Sequence, residues 1–166
     1  MGLFKREKTV KYQMRQKMIA IGDDYWIEDS DGNKAYRVNG KAVRFRDTWI
    51  LEDPHGKEVA LIREKKLSVR DAIKIEVGGK EYEVKKALVG IRDRFVVEAD
   101  GKNLKAHGNI VDHEYEIERD GDKIAEVSKK WFRVRDTYGV EVDADVDPAL
   151  ILSITVAIDS FFHDHG

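Results

Sequence analysis

Apolar and polar residues alternate along most of this chain, and the alternation comes in copies of one short pattern. Each copy places apolar residues around a polar one, then an Arg-Asp-like pair, then an aromatic or apolar run that ends in an acid. Six copies, at steps of 24, 24, 22, 20 and 23 residues, cover 19–29, 43–53, 67–77, 89–99, 109–119 and 132–142. A repeat of this length predicts paired or stacked supersecondary units.

The two-residue period predicts β-strands, and in the sixth copy it puts Phe132 and Tyr138 on the same face. Turn signals follow five of the copies: Asp31-Gly32, Pro54-His55-Gly56, Gly78-Gly79, Asp100-Gly101 and Asp120-Gly121-Asp122. Glycine supplies the positive φ that tight hairpin turns require, and a second alternating strand follows each turn. With a first strand near Tyr12–Met18, we expect about twelve strands joined as a meander of hairpins.

The C-terminal segment departs from this pattern. Asp147 followed by Pro148 is typical of a helix start, and residues 149–158 are apolar on all sides except at Ser153 and Thr155. A helix that is apolar all round is buried, and an up-and-down sheet must also remove its edges. We therefore expect a mainly β fold, a closed antiparallel up-and-down barrel around a central helix at about 148–162. Residues 12–166 form this single domain, and 1–11 form a tail.

One acid position recurs on the apolar face of the copies. Its occupants are Asp23, Asp47, Asp71, Asp93, His113 and Asp136. The expected register of the hairpins sets Asp71 opposite Lys86, Asp47 opposite Arg63, His113 opposite Lys129, Asp23 opposite Gly40 and Asp93 opposite Gly108. Buried carboxylates need partners, so structural ion pairs are one interpretation. A β-bulge that turns the acid outward is another, and a polar ring that holds an ion or a headgroup is a third.

The two ends of the predicted barrel differ in charge. Acids gather at the hairpin turns: Glu28, Asp29, Asp31, Glu52, Asp53, Asp100, Glu118 and Asp120. Bases gather at the opposite end: Lys41, Arg63, Lys65, Lys66, Lys85, Lys86, Lys105, Lys129 and Lys130. Such a rim attracts an anionic lipid surface by about 1 kcal/mol per basic residue. The alternative is that these lysines only solubilise the strand ends.

Composition narrows the function classes. The 166 residues carry a net charge of −2, so a strongly basic nucleic-acid module is excluded, and the absence of cysteine excludes thiol chemistry. The N-terminal residues lack the apolar core of a secretory signal, and the apolar run at 149–158 is too short to span a bilayer. We expect a cytoplasmic protein, peripheral at the membrane if it binds lipid.

Three stretches together resemble the bacterial and archaeal branch of the LURP-one-related proteins. They are MRQKMIAIGDDYWIED (14–29), GNIVDHEYEIERDGDKIAEVSKKWFRVRDTYGVEV (108–142) and the helix ALILSITVAIDSFF (149–162). That family belongs to the tubby C-terminal-like group, with phospholipid scramblases as distant relatives. The resemblance covers residues 12–163 and implies a twelve-stranded barrel around a central helix.

The resemblance implies less about function. Tubby-like domains bind phosphoinositides through basic side chains, but their basic motif has no residue-by-residue counterpart here. Scramblases carry a calcium-binding acidic segment before the last helix, where this chain has Asp143, Asp145 and Asp147. Pro148 and Ile154 stand where a calcium loop needs Gly and Glu, so a solvated loop that ends in an N-cap is the better interpretation.

The leading hypothesis is a non-enzymatic barrel that binds anionic phospholipid headgroups or a membrane surface. The residues expected to bind are Arg63, Lys65, Lys66, Lys85, Lys86, Lys129 and Lys130. A soluble scaffold that binds a protein partner is the alternative, and a small-ligand carrier is a third hypothesis, which the filled interior disfavours. We expect no cofactor, metal or nucleic-acid partner, because no catalytic or metal-binding motif is present. A metal at His163 and His165 is less plausible than a frayed tail.

Overall fold

Twelve strands and one helix make up the structure, a computed structural model that describes residues 9–15, 24–40, 48–65, 72–86, 94–99, 101, 103–132 and 136–163. The strands are β1 (Thr9–Arg15), β2 (Tyr25–Asp29), β3 (Lys34–Asn39), β4 (Thr48–Glu52), β5 (Glu58–Lys65), β6 (Ala72–Val77), β7 (Lys80–Lys86), β8 (Arg94–Glu98), β9 (Leu104–Asn109), β10 (Glu114–Arg119), β11 (Asp122–Ser128) and β12 (Thr137–Asp143). The helix is α1 (Pro148–His163).

Every strand pairs antiparallel with its neighbours in sequence, and β1 pairs with β12 to close the barrel. Closure leaves no free sheet edge, which is how an up-and-down sheet avoids pairing with other chains. Helix α1 is buried without interruption from Ile151 to Ser160 and packs against β5 and β6. These features confirm the predicted fold class. The first strand begins at Thr9, three residues before the expected start of the domain at Tyr12.

The hairpin turns follow the glycine signals closely. Val77 pairs with Lys80 across a two-residue turn, in which Gly78 and Gly79 have φ of 60° and 76°. Two consecutive positive φ values are typical of the type I′ turn, whose twist matches that of the strands. This turn therefore forms as the sequence predicts.

A bulge corrects one predicted pairing. The register of β4 and β5 shifts between Leu51 and Glu52, and Arg63 consequently pairs with Thr48. The expected pairing of Arg63 with Asp47 is wrong because the extra residue moves the whole hairpin by one position. Further bulges lie between Ile27 and Glu28 and between Ile117 and Glu118, near the turns in the described strands.

The barrel has two distinct ends, which we name by what lies there. The turn end holds the five hairpin turns and the start of α1, because the odd-numbered strands begin there. The rim end holds the last residues of the odd-numbered strands, the first residues of the even-numbered strands and the C-terminal part of α1. Helix α1 therefore runs from the turn end to the rim end.

Candidate functional site

Most of the predicted lipid-binding residues fall at the rim end. Lys85 and Lys86 are the last residues of β7, Lys129 and Lys130 follow β11 directly, and Lys65 ends β5. Arg63 lies two residues before that end. Lys66 is outside the described residues, as is Lys41, and the side chain of Lys65 is not described. Exposed Arg15 and Arg94, which end β1 and begin β8, add two cations to this end.

Lys105 does not belong to the rim end. It is the second residue of β9 and pairs with Glu118 of β10, close to the turn end. The prediction was wrong because β8 ends at Glu98 and β9 begins at Leu104, so Lys105 lies at the start of its strand, next to the turn end.

Three of the rim cations contact carboxylates, Lys85 and Arg63 across to the next strand and Lys130 back to β11, which it follows. Lys85 Nζ lies 3.1 Å from Glu98, Lys130 Nζ 3.5 Å from Glu126, and Arg63 Nη2 3.7 Å from Glu76. Burial opposes ionisation of Glu126, yet Lys123 and Lys130 hold the pKa of its carboxyl below the usual value. Because exposed ion pairs are weak, an incoming anion can replace these carboxylates at small cost.

An aromatic pair lies beside the lysines that follow β11. Lys130 Nζ is 5.5 Å and Lys11 Nζ 5.2 Å from the ring centre of Trp131. Trp131 and Phe132 both lie against Gly139 of β12. Phe132 is therefore not on the inner face with Tyr138 as the alternation predicts, since it lies against Gly139, the next residue of β12. The result is a half-buried aromatic surface next to cations.

The repeated acid position is described in only two of its six copies. Asp23, Asp47, Asp71 and Asp93 lie outside the described residues, and so do the pairings predicted for Asp23, Asp71 and Asp93. For Asp47, the predicted partner Arg63 pairs with Thr48 instead. His113 and Asp136 both adopt positive φ, 56° and 61°. The His113 side chain is nevertheless buried, whereas Asp136 is exposed.

His113 is the centre of a buried polar cluster. Its Nε2 lies 2.9 Å from Oδ1 of Asp159 in α1, and the hydroxyl of Tyr138 donates to the other carboxylate oxygen. The imidazole also stacks on the Tyr138 ring at 4.2 Å between centroids. The side chain of Asp159 is only 4% exposed, so this bonding provides the compensation that a buried charge requires.

Two further tyrosines surround the same carboxylate. Tyr25 and Tyr115 are fully enclosed, and burial together with the charge of Asp159 raises their pKa well above the usual value. Burial and Asp159 likewise raise the pKa of Tyr138. Sequence reasoning missed this cluster, because it searched for partners only across strands. The signal was available, since Asp159 is an acid within a segment expected to be buried.

The acidic segment before α1 caps the helix. The carboxylate of Asp147 accepts a hydrogen bond from the Ala149 amide at 3.0 Å, and its carbonyl accepts from Leu150. Val146 N–H donates to the Asp143 carbonyl in a turn, and Asp145 is exposed. These bonds agree with the N-cap interpretation of this segment.

Two other features of the described chain carry polar groups. A cleft of about 730 Å³ lies at the turn end, where β7 and β8 separate, with Leu104, Ile124 and Leu150 among its apolar residues. Its lysines and arginine are matched by three glutamates, so it has no selectivity for charge. On the outer face of β9 and β10, His107, Glu116 and Glu118 could together ligate a metal, but His107 Nε2 already lies 2.9 Å from the carboxylate of Glu118 in a half-exposed contact.

Comparison with known proteins agrees with this architecture. The sequence model of a family described as LURP-one-related matches residues 10–159. The chain belongs to the LURP-one-related family. The chain is also similar to the uncharacterized protein YxjI of Bacillus subtilis. The two are 28% identical over 153 residues, which cover 91% of this chain and 93% of the relative.

The fold of this LURP-one-related chain is also that of a solved structure. The X-ray structure of the Arabidopsis thaliana protein AT5G01750 matches with a TM-score of 0.68 and 19% identity, over 93% of this chain and 92% of the other. Neither the family description nor these relatives' names carry a catalytic activity. Among the described residues of the LURP-one-related chain, no helix has the length and apolarity that crossing a bilayer requires.

Proposed function

We propose that this LURP-one-related protein is a non-enzymatic barrel that binds anionic phospholipid headgroups at a membrane surface. The observation that carries the proposal is the gathering of cations at the rim end. The residues assigned to binding are Arg63, Lys65, Lys66, Lys85, Lys86, Lys129 and Lys130. Each cation near an anionic surface contributes about 1 kcal/mol, so several acting together give measurable affinity.

The surroundings of Lys129 and Lys130 support a membrane rather than a dissolved anion. Both lysines are exposed, and Trp131 lies half-buried beside them. Tryptophan is enriched where one side of a residue meets an apolar phase and the other meets water. A headgroup layer offers both phosphates for the lysines and an acyl boundary for the indole. The inner leaflet of the cell membrane is anionic, so we place the protein in the cytoplasm, peripheral at that surface.

Co-sedimentation with vesicles tests the proposal. The wild-type protein should pellet with phosphatidylglycerol or phosphatidylserine vesicles, remain in solution with phosphatidylcholine vesicles, and bind less at physiological than at low salt. Lys129→Ala with Lys130→Ala should weaken binding to the anionic vesicles by about 25-fold, since two cations contribute about 2 kcal/mol together. Lys85→Ala with Lys86→Ala should weaken it similarly.

The matched control is Lys57→Ala with Lys80→Ala, which removes the same charge from exposed positions at the turn end. This control should bind as the wild type does. Equal losses in the rim-end and turn-end variants would mean that net charge, not the rim, drives binding. Failure to bind anionic vesicles at low salt would reject lipid binding and favour the alternative, a scaffold that binds a protein partner.

A further inference from the structure

Several buried polar atoms inside the rim end have no hydrogen-bond partner among the described residues. They include the hydroxyls of Tyr25 and Tyr115 and Nδ1 of His113. Their residues are 5%, 3% and 6% exposed, so bulk solvent does not reach these atoms. Buried polar atoms are almost always paired with protein or ordered water. Three such atoms around one carboxylate therefore indicate an additional molecule.

The strands bring these groups to a common centre. Tyr25 begins β2, Tyr138 lies at the start of β12 and Tyr115 at the start of β10, so the three phenols stand on alternate strands of one wall. After burial, the charge of Asp159 raises the pKa of all three phenols, and Tyr25 and Tyr115 also raise the pKa of Tyr138. Among the described residues, Tyr138 and His113 are the two that bond Asp159 directly. The hydroxyls of Tyr25 and Tyr115 are buried without a bond, close enough for the charge of Asp159 to act on them.

We propose that the rim end of the barrel contains a binding site for ordered water between Tyr25, Tyr115 and the His113–Asp159 pair. Water fits because it is small, neutral and both donates and accepts hydrogen bonds. One molecule accepts from the two phenols and has hydrogens left for Asp159. Nδ1 of His113 points away from Asp159, which is bonded to Nε2, so a second molecule pairs with Nδ1, donating to the neutral imidazole or accepting from the protonated one. A bound cation would instead compete with His113 for the carboxylate.

This site is independent of the proposed lipid binding, because it lies inside the barrel and uses none of the rim lysines. Most residues around α1 are apolar, with Ser153, Thr155 and Ser160 as buried polar residues of the helix itself. Water at this site adds hydrogen bonds to the Asp159 carboxylate beyond those of His113 and Tyr138.

Magnetic relaxation dispersion of oxygen-17 water tests the proposal on the full chain, since it detects internal water that exchanges slowly. The wild type should give a dispersion, and Tyr25→Phe with Tyr115→Phe should reduce its amplitude. Tyr82→Phe, a half-buried tyrosine at the turn end, should leave the amplitude unchanged. A dispersion that is absent from the wild type, or equal in the double variant, would overturn the site.

Denaturation of the two single variants gives a second measurement. If water bonds each hydroxyl, Tyr25→Phe and Tyr115→Phe should each raise the unfolding constant by about fivefold, as expected for loss of one hydrogen bond. If the hydroxyls are dry, their removal relieves an unpaired polar group and the unfolding constant falls or stays the same. An unfolding constant that falls or stays the same in both variants would reject water bound at these hydroxyls, even if the dispersion detects internal water elsewhere in the chain.

Discussion

His113 and Asp159 form a histidine–carboxylate contact that can be compared with another one in the same chain. His107 and Glu118 approach to the same 2.9 Å, but their side chains are 39% and 28% exposed, against 7% and 4% for His113 and Asp159. The nitrogen–oxygen distances of the two contacts are therefore equal, whereas the burial of their side chains differs. At the scale of single residues, burial therefore decides which pair the fold depends on, because water can replace a lost partner only at the surface.

Replacing His113 by Ala should lower the free energy of unfolding by about 3 kcal/mol or more, since it leaves Asp159 buried without its imidazole partner. His107→Ala is the matched control and should cost less than about 1 kcal/mol. Both are measured by urea denaturation. Similar losses in the two variants would show that the His113 contact is no more important than a surface pair.

Gly108 supports the same cluster from the backbone. It pairs with Tyr115 and has a φ of +133°, and a Cβ there would lie 2.8 Å from the Glu114 carbonyl oxygen. Gly108→Ala should cost about 3 kcal/mol or more, because strain and overpacking add. Gly56→Ala is the control, since its φ is +85° but open space surrounds it, and strain alone should cost about 1–2 kcal/mol. If thermal or urea unfolding gave equal losses of unfolding free energy for the two variants, the close contact at Gly108 would add nothing to the backbone strain.

At the scale of elements, local signals sufficed for the strands and turns. The Gly78-Gly79 turn, the β-strand alternation and the Asp147-Pro148 helix start each depend on neighbouring residues, and the structure has all three. No pattern of neighbouring residues predicts the bulge beside Leu51. A one-residue shift was enough to move Arg63 from Asp47 to Thr48, so cross-strand partners are less predictable than the strands themselves.

The contact partners within the interior cluster could not be predicted, for a different reason. His113 and Asp159 are 46 residues apart and meet only because α1 passes through the barrel. Register within a hairpin cannot reveal a contact with a threaded helix. The burial of both residues was implied by the pattern, but the rotation and depth of α1 depend on packing around the whole barrel.

The start of α1 gives a prediction at this scale. Asp147→Ala should lower the free energy of unfolding by about 1 kcal/mol, because the Ala149 amide loses its cap and the helix N-terminus loses a favourable charge. Asp145→Ala, an exposed acid two residues earlier, should change it by less than about 0.5 kcal/mol. Denaturation without calcium measures both. A larger loss for Asp145→Ala would contradict the N-cap assignment.

At the scale of the whole molecule, charge and helix direction agree. The acids Asp29, Asp31, Asp53, Asp120 and Asp147 lie at the turn end with the N-terminus of α1, and the rim-end cations lie with its C-terminus. The positive end of the helix dipole thus lies on the side of the acids, of which Asp147 caps the helix directly, and the negative end lies on the side of the bases. The sign of the charge at each end of the barrel therefore agrees with the direction of α1, independently of lipid binding.

The enclosed tyrosines make the entire barrel sensitive to high pH. Burial first, and then the charge of Asp159, raises the pKa of Tyr25, Tyr115 and Tyr138 in the folded protein, while the unfolded chain ionises near pH 10. Their contribution to stability is therefore complete below about pH 10 and falls as the pH rises toward their folded-state pKa values. Tyrosinate absorbance from these three phenols should appear together with the loss of β-sheet circular dichroism. Full ionisation of all six tyrosines while the sheet signal persists would show that the barrel does not enclose them.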